Sequence, residues 1–402
     1  MPGNRTPNRA LCRHVAAVVA LVVLGTTAAC GSGSSGTRPA GPTTAPSASL
    51  GPWQGTLTAT TPPAPVQTLR AVACPSAQRC WAVGSTQATS STPAGAALVA
   101  TTDGGATWTV ETVPPNVGYL SAVACTSTRS CTAVGQIGLT GVGPGAVLTT
   151  ATGGATWALQ AVPAGTTDVT AVDCRAGGRC TALGVVAGRV TTLRPSSSGT
   201  WAAGGSLPPA ASAATALSCT DGTHCWATAA QSVDVGHIIG VIAATSNGGT
   251  TWALQHVPAG TGALQGIDCI AGTTDGAGTS CTAVGTTATV LGGARGGQGV
   301  VLTSGNGGGS WATAPVTPTA ADLLGVSCAA GPCVAVGTTV ASAAQAGVVV
   351  FTGATGATGG SGPTWRRAVA APVALPLTGV ACVSLSACVV VGESVTAHLS
   401  AG

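Results

Sequence analysis

Fourteen of the 16 cysteines in this 402-residue chain fall into seven short-range pairs that recur about every 50 residues. The pairs are Cys74 with Cys80, Cys125 with Cys131, Cys174 with Cys180, Cys219 with Cys225, Cys269 with Cys281, Cys328 with Cys333 and Cys382 with Cys388. In an exported chain such pairs predict seven local disulfides. Zinc binding is the weaker alternative, because zinc sites favour closer cysteines in two converging units, whereas each pair here stands alone.

Each cysteine pair sits in the same pattern of short apolar segments. One precedes the first cysteine, as in Leu69–Cys74, and another follows the second cysteine, as in Thr132–Gly135. A third segment, such as Val300–Thr303, leads to a glycine turn that ends in tryptophan and a last strand closed by proline, as in Trp108–Pro114. The residue three positions before each first cysteine is small: Ala71, Ala122, Ala171, Ala216, Gly266, Gly325 and Gly379. Four short strands per repeat are typical of a β-propeller.

The two ends of the repeat array lack complementary parts. The turn with tryptophan recurs at Trp108, Trp157, Trp201, Trp252, Trp311 and Trp365. Trp53 precedes the first cysteine pair without the earlier strands, and the last pair, Cys382 with Cys388, has no tryptophan after it. We therefore predict an all-β fold over residues 51–402: a seven-bladed propeller of four-stranded antiparallel blades, closed by an N-terminal strand that joins the C-terminal blade. An open solenoid or separate sheets would leave the complementary ends unexplained.

The first 50 residues have the features of an export signal and a tether. Residues 1–29 combine a basic start with the apolar run Val15–Leu24, which is too short to span a bilayer. The small residues Thr27–Ala29 directly precede Cys30, which resembles the lipobox of bacterial lipoproteins, although leucine is usual where Thr27 stands. This resemblance implies lipidation of Cys30, a flexible tether over 30–50 and a lipid-anchored location on the outer leaflet of the cell membrane. A plain secretory signal and an uncleaved anchor are the alternatives.

The composition excludes two broad classes of protein. With 45% apolar and only 6% charged residues, the chain is unlike a disordered protein. Its fourteen basic residues include three in the leader, so eleven remain against ten acids, too little charge for nucleic-acid binding. No histidine spacing or phosphate-binding loop indicates a metal or cofactor. We expect a monomer whose contact with the membrane is the lipid anchor alone.

Basic residues recur at the cysteine hairpins of the first four repeats: Arg79, Arg129, Arg175, Arg179 and His224. In a propeller these hairpins and the tryptophan turns emerge on one face, so the sequence predicts a half-ring of positive charge that could bind an anion or an acidic partner. The alternative is that these are ordinary solvated hairpin residues, some of them paired with Asp173 or Asp221. The loops of the opposite face, such as Gly285–Gly299, are nearly uncharged.

The turn before each tryptophan carries a family resemblance. Thr101–Trp108 reads TTDGGATW and resembles the Asp-box, or BNR repeat. Asn247 and Asn306 stand in the aspartate position of later copies, and Thr152 and Ser196 replace it elsewhere. The resemblance covers about residues 51–400 and implies a hairpin between strands three and four whose short polar side chain caps the turn. The motif is thus expected to be structural, not catalytic.

The whole repeat array is similar to the photosystem II stability/assembly factor family and to exported, cysteine-rich YVTN/BNR-like repeat proteins of high-GC bacteria. That resemblance implies non-catalytic binding or scaffold work, here for an unknown envelope protein or glycan. A sialidase-like glycosidase or a carbohydrate-binding protein is the alternative. Sialidases need an arginine triad and a tyrosine paired with glutamate, and this chain has one tyrosine, Tyr119, and two glutamates, Glu111 and Glu393. A purely structural envelope component is a third reading.

Overall fold

The computed structural model describes most of the region that carries the repeats. The described residues are 56–90, 93–138, 143–175, 177–196, 199–234, 237–272, 278–287, 297–317, 320, 322–329, 332–339, 346–352, 365–367 and 375–400. The predicted signal peptide, Cys30, the tether and Trp53 lie outside them, as do parts of the loop 285–299.

In the described residues, 29 short strands form seven sheets around a common axis. Strand β1 (Thr56–Thr60) belongs to the seventh sheet, and the other six sheets follow one another along the chain. Blades 1 to 3 consist of β2 (Val66–Ala73), β3 (Cys80–Thr86), β4 (Ala96–Thr101) and β5 (Thr109–Val110); β6 (Val117–Cys125), β7 (Cys131–Ile137), β8 (Gly145–Thr150) and β9 (Ala158–Leu159); and β10 (Thr166–Arg175), β11 (Arg179–Val186), β12 (Arg189–Pro195) and β13 (Trp201–Ser206).

Blades 4 to 7 repeat this arrangement. They consist of β14 (Ala213–Cys219), β15 (Cys225–Asp234), β16 (His237–Thr245) and β17 (Ala253–Gln255); β18 (Thr261–Ile270), β19 (Ser280–Thr287), β20 (Gly299–Ser304) and β21 (Ala312–Ala314); β22 (Val316–Thr317), β23 (Asp322–Cys328), β24 (Cys333–Thr338), β25 (Gly347–Thr352) and β26 (Trp365–Arg367); and β27 (Leu377–Ser384), β28 (Ala387–Gly392) and β29 (Val395–Ser400) with β1. Blade 6 has a fifth strand because β22 pairs in parallel with β26. The predicted all-β, seven-bladed propeller is confirmed.

Blade 7 stands beside blade 1 in the same relation that joins blades within the chain. The Thr378 hydroxyl in β27 donates to the carbonyl oxygen of Leu69 in β2. The Thr215 hydroxyl in β14 donates in the same way to Leu264 in β18. The inner strands therefore form a continuous ring.

The outer strand of blade 7 comes from the N-terminal end of the described region. β1 runs antiparallel to β29, and Leu57 lies opposite Leu399. In blades 3 and 6 the corresponding register position holds Trp201 and Trp365. Leu57, rather than Trp53, thus occupies the tryptophan position of blade 7. Closure of the ring by the segment that contains Trp53 stays a prediction, since Trp53 lies outside the described residues.

The seven predicted disulfides are confirmed, and each joins the two strands of an inner hairpin. The bonds link Cys74 to Cys80, Cys125 to Cys131, Cys174 to Cys180, Cys219 to Cys225, Cys269 to Cys281, Cys328 to Cys333 and Cys382 to Cys388. The Cα atoms of the two cysteines are 3.9 to 4.1 Å apart in every pair. The local pairing that the sequence predicts, with no zinc-type convergence of two pairs, is therefore the arrangement in the fold.

The glycine turns lie on the same face of the propeller as the cysteine hairpins. The backbone N–H of Gly104 donates to the Gln78 carbonyl, and that of Gly153 donates to the Arg129 carbonyl. Gln78 and Arg129 each belong to a disulfide-closed hairpin. We call this face of the propeller the Cys face.

The small residues before the cysteines let the inner strands meet at the axis. A Cβ added at Gly266 would lie 3.3 Å from the Cα of Gly325, and one added at Gly379 would lie 3.2 Å from the Cα of Ala71. Every inner strand also has a register irregularity directly before this position, as between Leu120 and Ala122. A narrow central cavity of about 190 Å³ remains, lined by all seven inner strands.

A glycine in the second strand is required by the same packing. A Cβ added at Gly135 would overlap the carbonyl oxygen of Tyr119 in the neighbouring strand. We expect Gly135→Ala to lower the free energy of unfolding by roughly 1–3 kcal/mol, because the strand must shift to admit the methyl group. Urea denaturation measures the change. Ala229 already has a Cβ at the corresponding position of blade 4, opposite Ala214, so Ala229→Gly is the matched control and should cost no more than about 1 kcal/mol. Equal stabilities of Gly135→Ala and wild type would contradict the packing argument.

Candidate functional site

The turns before the tryptophans are closed by a repeated set of hydrogen bonds. In Thr101–Trp108, Asp103 accepts hydrogen bonds from the Thr101 hydroxyl at 2.7 Å and from the Thr107 backbone at 2.9 Å. Asn247 and Asn306 make equivalent bonds in their own turns. Hydrogen bonds from Thr107 lower the pKa of Asp103 to about 2. The Asp103 carboxylate is therefore occupied within the turn, as expected for a structural element.

The same turns also connect neighbouring blades. The Gly153 carbonyl in blade 2 accepts a hydrogen bond from Arg79 of blade 1 at 2.6 Å. The Gly248 carbonyl accepts one from Arg194 at 3.1 Å, and the Gly307 carbonyl accepts one from the Trp226 indole at 2.8 Å. A donor side chain from one blade thus clamps the glycine turn of the next.

Arg79, a predicted member of the basic patch, acts as one of these clamps. Its guanidinium carbon lies 5.0 Å from the centre of the Trp81 ring while its terminal nitrogen bonds to Gly153. The side chain is only partly exposed. Arg79 therefore has a structural function at the junction of blades 1 and 2, whatever it adds to the surface charge.

Two other predicted patch residues contact acidic side chains of their own hairpins. Arg175 donates to Asp173 at 2.7 Å, and the His224 ring nitrogen Nδ1 lies 2.9 Å from the Asp221 carboxylate. These are the two acidic partners that the solvated-hairpin interpretation named. Each pair reduces the net charge at its own hairpin.

Arg129 and Arg179 are exposed, as is His224. Neither guanidinium has a hydrogen-bond or ion-pair partner among the described residues. They lie in the hairpins of blades 2 and 3 on the Cys face. The structure thus divides the five predicted residues into one clamp, two side chains in contact with aspartates and two arginines that are accessible to a partner.

Two partly buried carboxylates bridge blades at the inner ends of the cysteine hairpins. Asp173 accepts the backbone N–H of Cys219 at 2.6 Å, and Asp268 accepts that of Cys328 at 2.7 Å. Burial raises the pKa of Asp268 to about 6, and the nearby negative charge of Asp173 adds to the rise. Sequence reasoning named Asp173 only as an ion-pair partner and missed Asp268, because the acceptor role depends on the next blade.

The raised pKa of Asp268 predicts a pH-dependent stability. The folded protein binds a proton that the unfolded chain releases near pH 4, so the free energy of unfolding falls as the pH rises from about 4 to about 6. We expect Asp268→Asn to remove roughly 2–3 kcal/mol of this decline while keeping an acceptor for Cys328. Urea denaturation between pH 4 and 7 measures the difference.

Asp103→Asn is the matched control for this experiment. Its pKa in the folded protein, about 2, lies below the ordinary value, so its contribution to stability is lost only as the pH falls below about 4. The profile above pH 4 should therefore follow wild type. The prediction fails if Asp268→Asn keeps the full decline of wild type.

Glu111 and Tyr119, which a sialidase-like site would need as a pair, have different partners. The indole N–H groups of Trp81 and Trp157 donate to the Glu111 carboxylate at 3.2 and 2.6 Å, and burial raises its pKa. Glu111 therefore joins blades 1 and 2. In the corresponding position of blade 4, Gln255 accepts the Trp311 indole N–H at 2.9 Å.

Tyr119 belongs to a small cluster at the end of the inner strands opposite the Cys face. Its hydroxyl donates to Asp168 at 3.1 Å, and the Arg70 guanidinium lies 5.6 Å from its ring centre. Burial raises the pKa of Tyr119 to about 12, with the Asp168 charge adding to the rise. Burial also raises the pKa of Asp168. The sequence contains these three residues in separate repeats, and only the ring brings them together.

A second cavity, of about 310 Å³, lies between the Cys-face hairpins of blades 7 and 1. Ala387 of blade 7 stands where blade 1 has the clamp Arg79, and Gly104 lines the cavity. His398 Nδ1 is buried here with no hydrogen-bond partner among the described residues. The junction of blades 7 and 1 is therefore less completely filled than the clamped junction of blades 1 and 2.

Two classes of feature are not found in the described ranges. No helical segment there has the length and apolar character of a membrane crossing. The same residues contain no group of three or more histidine, cysteine, aspartate or glutamate side chains placed to hold a metal ion.

Comparison with known proteins supports the fold. No protein-family model and no curated protein matches the sequence. The structure is similar to YCF48 bound to a D1 peptide, with 15% identity over 86% of this chain and 97% of that chain and a TM-score of 0.54. It is also similar to a catalytically inactive virginiamycin B lyase from Staphylococcus aureus with quinupristin, with 10% identity over 86% and 99% and a TM-score of 0.58.

A xyloglucanase from Xanthomonas campestris matches with 13% identity over 74% of this chain and 47% of that chain and a TM-score of 0.50. Proteins with this low identity share the propeller fold, while their activities differ. The comparisons therefore show the architecture and leave function to be argued from the site.

Proposed function

We propose that the chain is an exported, lipid-anchored propeller that binds or scaffolds another molecule of the bacterial cell envelope without catalysing a reaction. Seven disulfides suit an oxidising compartment outside the cytoplasm. The resemblance of residues 27–30 to a lipobox supports a lipid anchor at Cys30. The turns resemble Asp-boxes and hold the blades together, so the motif gives no reason to expect catalysis.

The observation that carries the binding proposal is the pair of exposed, unpartnered arginines on the Cys face. Arg129 and Arg179 are held on adjacent disulfide-closed hairpins. Two guanidinium groups on disulfide-closed hairpins favour a partner with acidic groups, because arginine donates to carboxylates with two parallel hydrogen bonds. YCF48, a similar fold, is found bound to a peptide, which supports a protein as the partner class.

Capture from envelope extract of the producing bacterium tests this function. The bait is the propeller domain, compared with a double variant that carries Arg129→Glu and Arg179→Glu. Arg189→Glu is the matched control, because Arg189 is an exposed arginine at the start of β12, on the opposite face. We expect a reproducible partner that wild type and Arg189→Glu retain and the double variant loses. Equal capture by all three would refute the use of this face. For the anchor, Cys30→Ser should abolish incorporation of a labelled fatty acid.

A catalytic alternative is favoured by one observation, the cluster of Arg70, Tyr119 and Asp168. A buried acid with a raised pKa beside a tyrosine and an arginine is an arrangement found in active sites. A panel of fluorogenic glycosides, assayed with wild type and with Asp168→Asn, tests this alternative. Hydrolysis that Asp168→Asn abolishes would make the protein an enzyme.

A further inference from the structure

The residues that directly precede the first cysteine of each blade form a ring of interblade contacts, which we call the pre-Cys ring. Its members are Ala73, Ala124, Asp173, Ser218, Asp268, Ser327 and Ala381. Four of them, Asp173, Ser218, Asp268 and Ser327, accept the backbone N–H of the first cysteine in the next blade, at 2.6 to 3.1 Å. Oxygen atoms therefore satisfy these N–H groups in one continuous sector of the ring.

The cysteine N–H groups point away from their own blades. Opposed cysteines only 3.9 to 4.1 Å apart at Cα have the spacing of a pair that does not exchange backbone hydrogen bonds. The adjacent pair in blade 2 confirms the alternation, because Thr126 N–H donates to the Ser130 carbonyl. Each of these cysteine N–H groups therefore points away from the paired strand of its own blade, as the bonds from Cys219 to Asp173 and from Cys328 to Asp268 show.

The other sector of the ring has methyl groups where the acceptors would be. Ala381, Ala73 and Ala124 precede the cysteines of blades 7, 1 and 2, so they face the N–H groups of Cys74, Cys125 and Cys174. An alanine side chain offers no acceptor, and these three positions are consecutive around the ring. The sector thus has three backbone donors in a row, of which Cys74 and Cys125 are partly exposed and Cys174 is buried. Accessible backbone donors of this kind bind anions.

The hairpins of this sector are also basic. Those that contain Cys74, Cys125 and Cys174 carry Arg79, Arg129 and Arg179, and the hairpin of blade 4 carries His224, whereas the last three hairpins have Ser280, Pro332 and Ala387 before the second cysteine. Carboxylates already occupy the corresponding place in blades 3 and 5, so the backbone geometry accommodates a carboxylate oxygen.

We propose that the alanine sector of the pre-Cys ring binds the carboxylate groups of an acidic polypeptide segment. The carboxylate oxygens accept hydrogen bonds from the N–H groups of Cys74 and Cys125, as Asp173 and Asp268 do elsewhere in the ring. Arg129 and Arg179 supply the balancing charge. This inference rests on the proposed binding function and narrows it to one site and one ligand chemistry.

The test uses fluorescein-labelled hexaglutamate as the probe and fluorescence anisotropy as the measurement. Ala73→Asp supplies an internal carboxylate to Cys125 and Ala73→Ser supplies a neutral acceptor. Ser218→Asp is the matched control, since it adds the same charge to the ring outside the alanine sector. Hexaglutamine with the same label reports binding that does not need carboxylates. Melting curves of all variants establish that they are folded.

We expect wild type to bind hexaglutamate and not hexaglutamine. Ala73→Asp should weaken binding more than tenfold beyond Ser218→Asp. Ala73→Ser should weaken it by about tenfold, the order expected for loss of one hydrogen bond to a charged group. A diffuse attraction to positive charge predicts instead that Ala73→Ser binds like wild type.

Two results would overturn the inference. One is equal affinity of Ala73→Ser and wild type, and the other is equal weakening by Ala73→Asp and Ser218→Asp. The serine variant changes neither charge nor much volume, so the experiment stays decisive if the aspartate variant does not fold. An envelope partner that Ala73→Ser captures as well as wild type refutes this site and leaves the proposed binding function intact.

Discussion

Complete reduction of the seven disulfides should lower the melting temperature of this propeller by on the order of 20 °C. Each bond closes a loop of between 5 and 12 residues in sequence separation, and such a loop is worth about 2 kcal/mol when it is closed in the unfolded chain. Seven of them together approach the whole stability of a typical domain. Besides leucines such as Leu69 and Leu120, the inner strands bury mainly alanine and valine, which remove less apolar surface from water per residue than larger side chains do.

Calorimetry with and without reductant measures the effect, and alkylation followed by mass spectrometry verifies that all fourteen cysteines are reduced. A double variant with Cys269→Ser and Cys281→Ser, which lacks only the longest loop, is the control for a single bond. The free energy of unfolding of this variant should be about 2–3 kcal/mol lower than that of wild type. An unchanged melting curve after verified reduction would show that the bonds do not stabilise the fold.

Removal of residues 51–60 should destabilise the propeller by at least about 3 kcal/mol and promote self-association. The deletion removes β1 and leaves β29 as an exposed edge strand, which pairs readily with other chains. Leu57, a partly buried residue that packs against the core between blades 6 and 7, is lost with it, which adds part of the about 2–5 kcal/mol that loss of a fully buried leucine costs. Chemical denaturation and analytical ultracentrifugation measure the two effects.

A chain that begins at residue 51 is the control, since it lacks the leader and tether but keeps β1. A cross-link tests the pairing directly: Thr58 and His398 are register partners, so Thr58→Cys combined with His398→Cys should form a disulfide. The offset combination of Ala59→Cys with His398→Cys should form it far less readily. A monomer of unchanged stability after deletion, together with no cross-link at Thr58, would refute ring closure by the N-terminal strand.

The local features of each blade could be predicted from the sequence. Paired cysteines with five residues between them, as in Cys174 with Cys180 or Cys382 with Cys388, act within one hairpin, as do the glycine turns and the terminal tryptophans. Their geometry can therefore be predicted from their spacing in the sequence. The number of repeats and the complementary ends then predicted seven blades. The small residue before each cysteine was visible in the sequence, and the structure supplies its reason, which is the approach of neighbouring backbones near the axis.

The partners across blade junctions were only partly accessible to sequence reasoning. Arg79 was predicted as a surface charge, yet it clamps Gly153, which lies 74 residues away in sequence. Glu111 holds two indole groups from different blades. Such contacts depend on how two sheets are inclined to each other, and no local spacing encodes that angle.

By itself, the sequence determined the repeat unit, its disulfides, its turns and the number of units, because hydrogen bonds and covalent closure within a hairpin act over a few residues. Only the tertiary structure decided which arginines are accessible. It also brings together the acceptors of the pre-Cys ring and the three alanines that interrupt them. Those properties arise between blades, where residues about 50 positions apart meet through the packing of whole sheets around one axis.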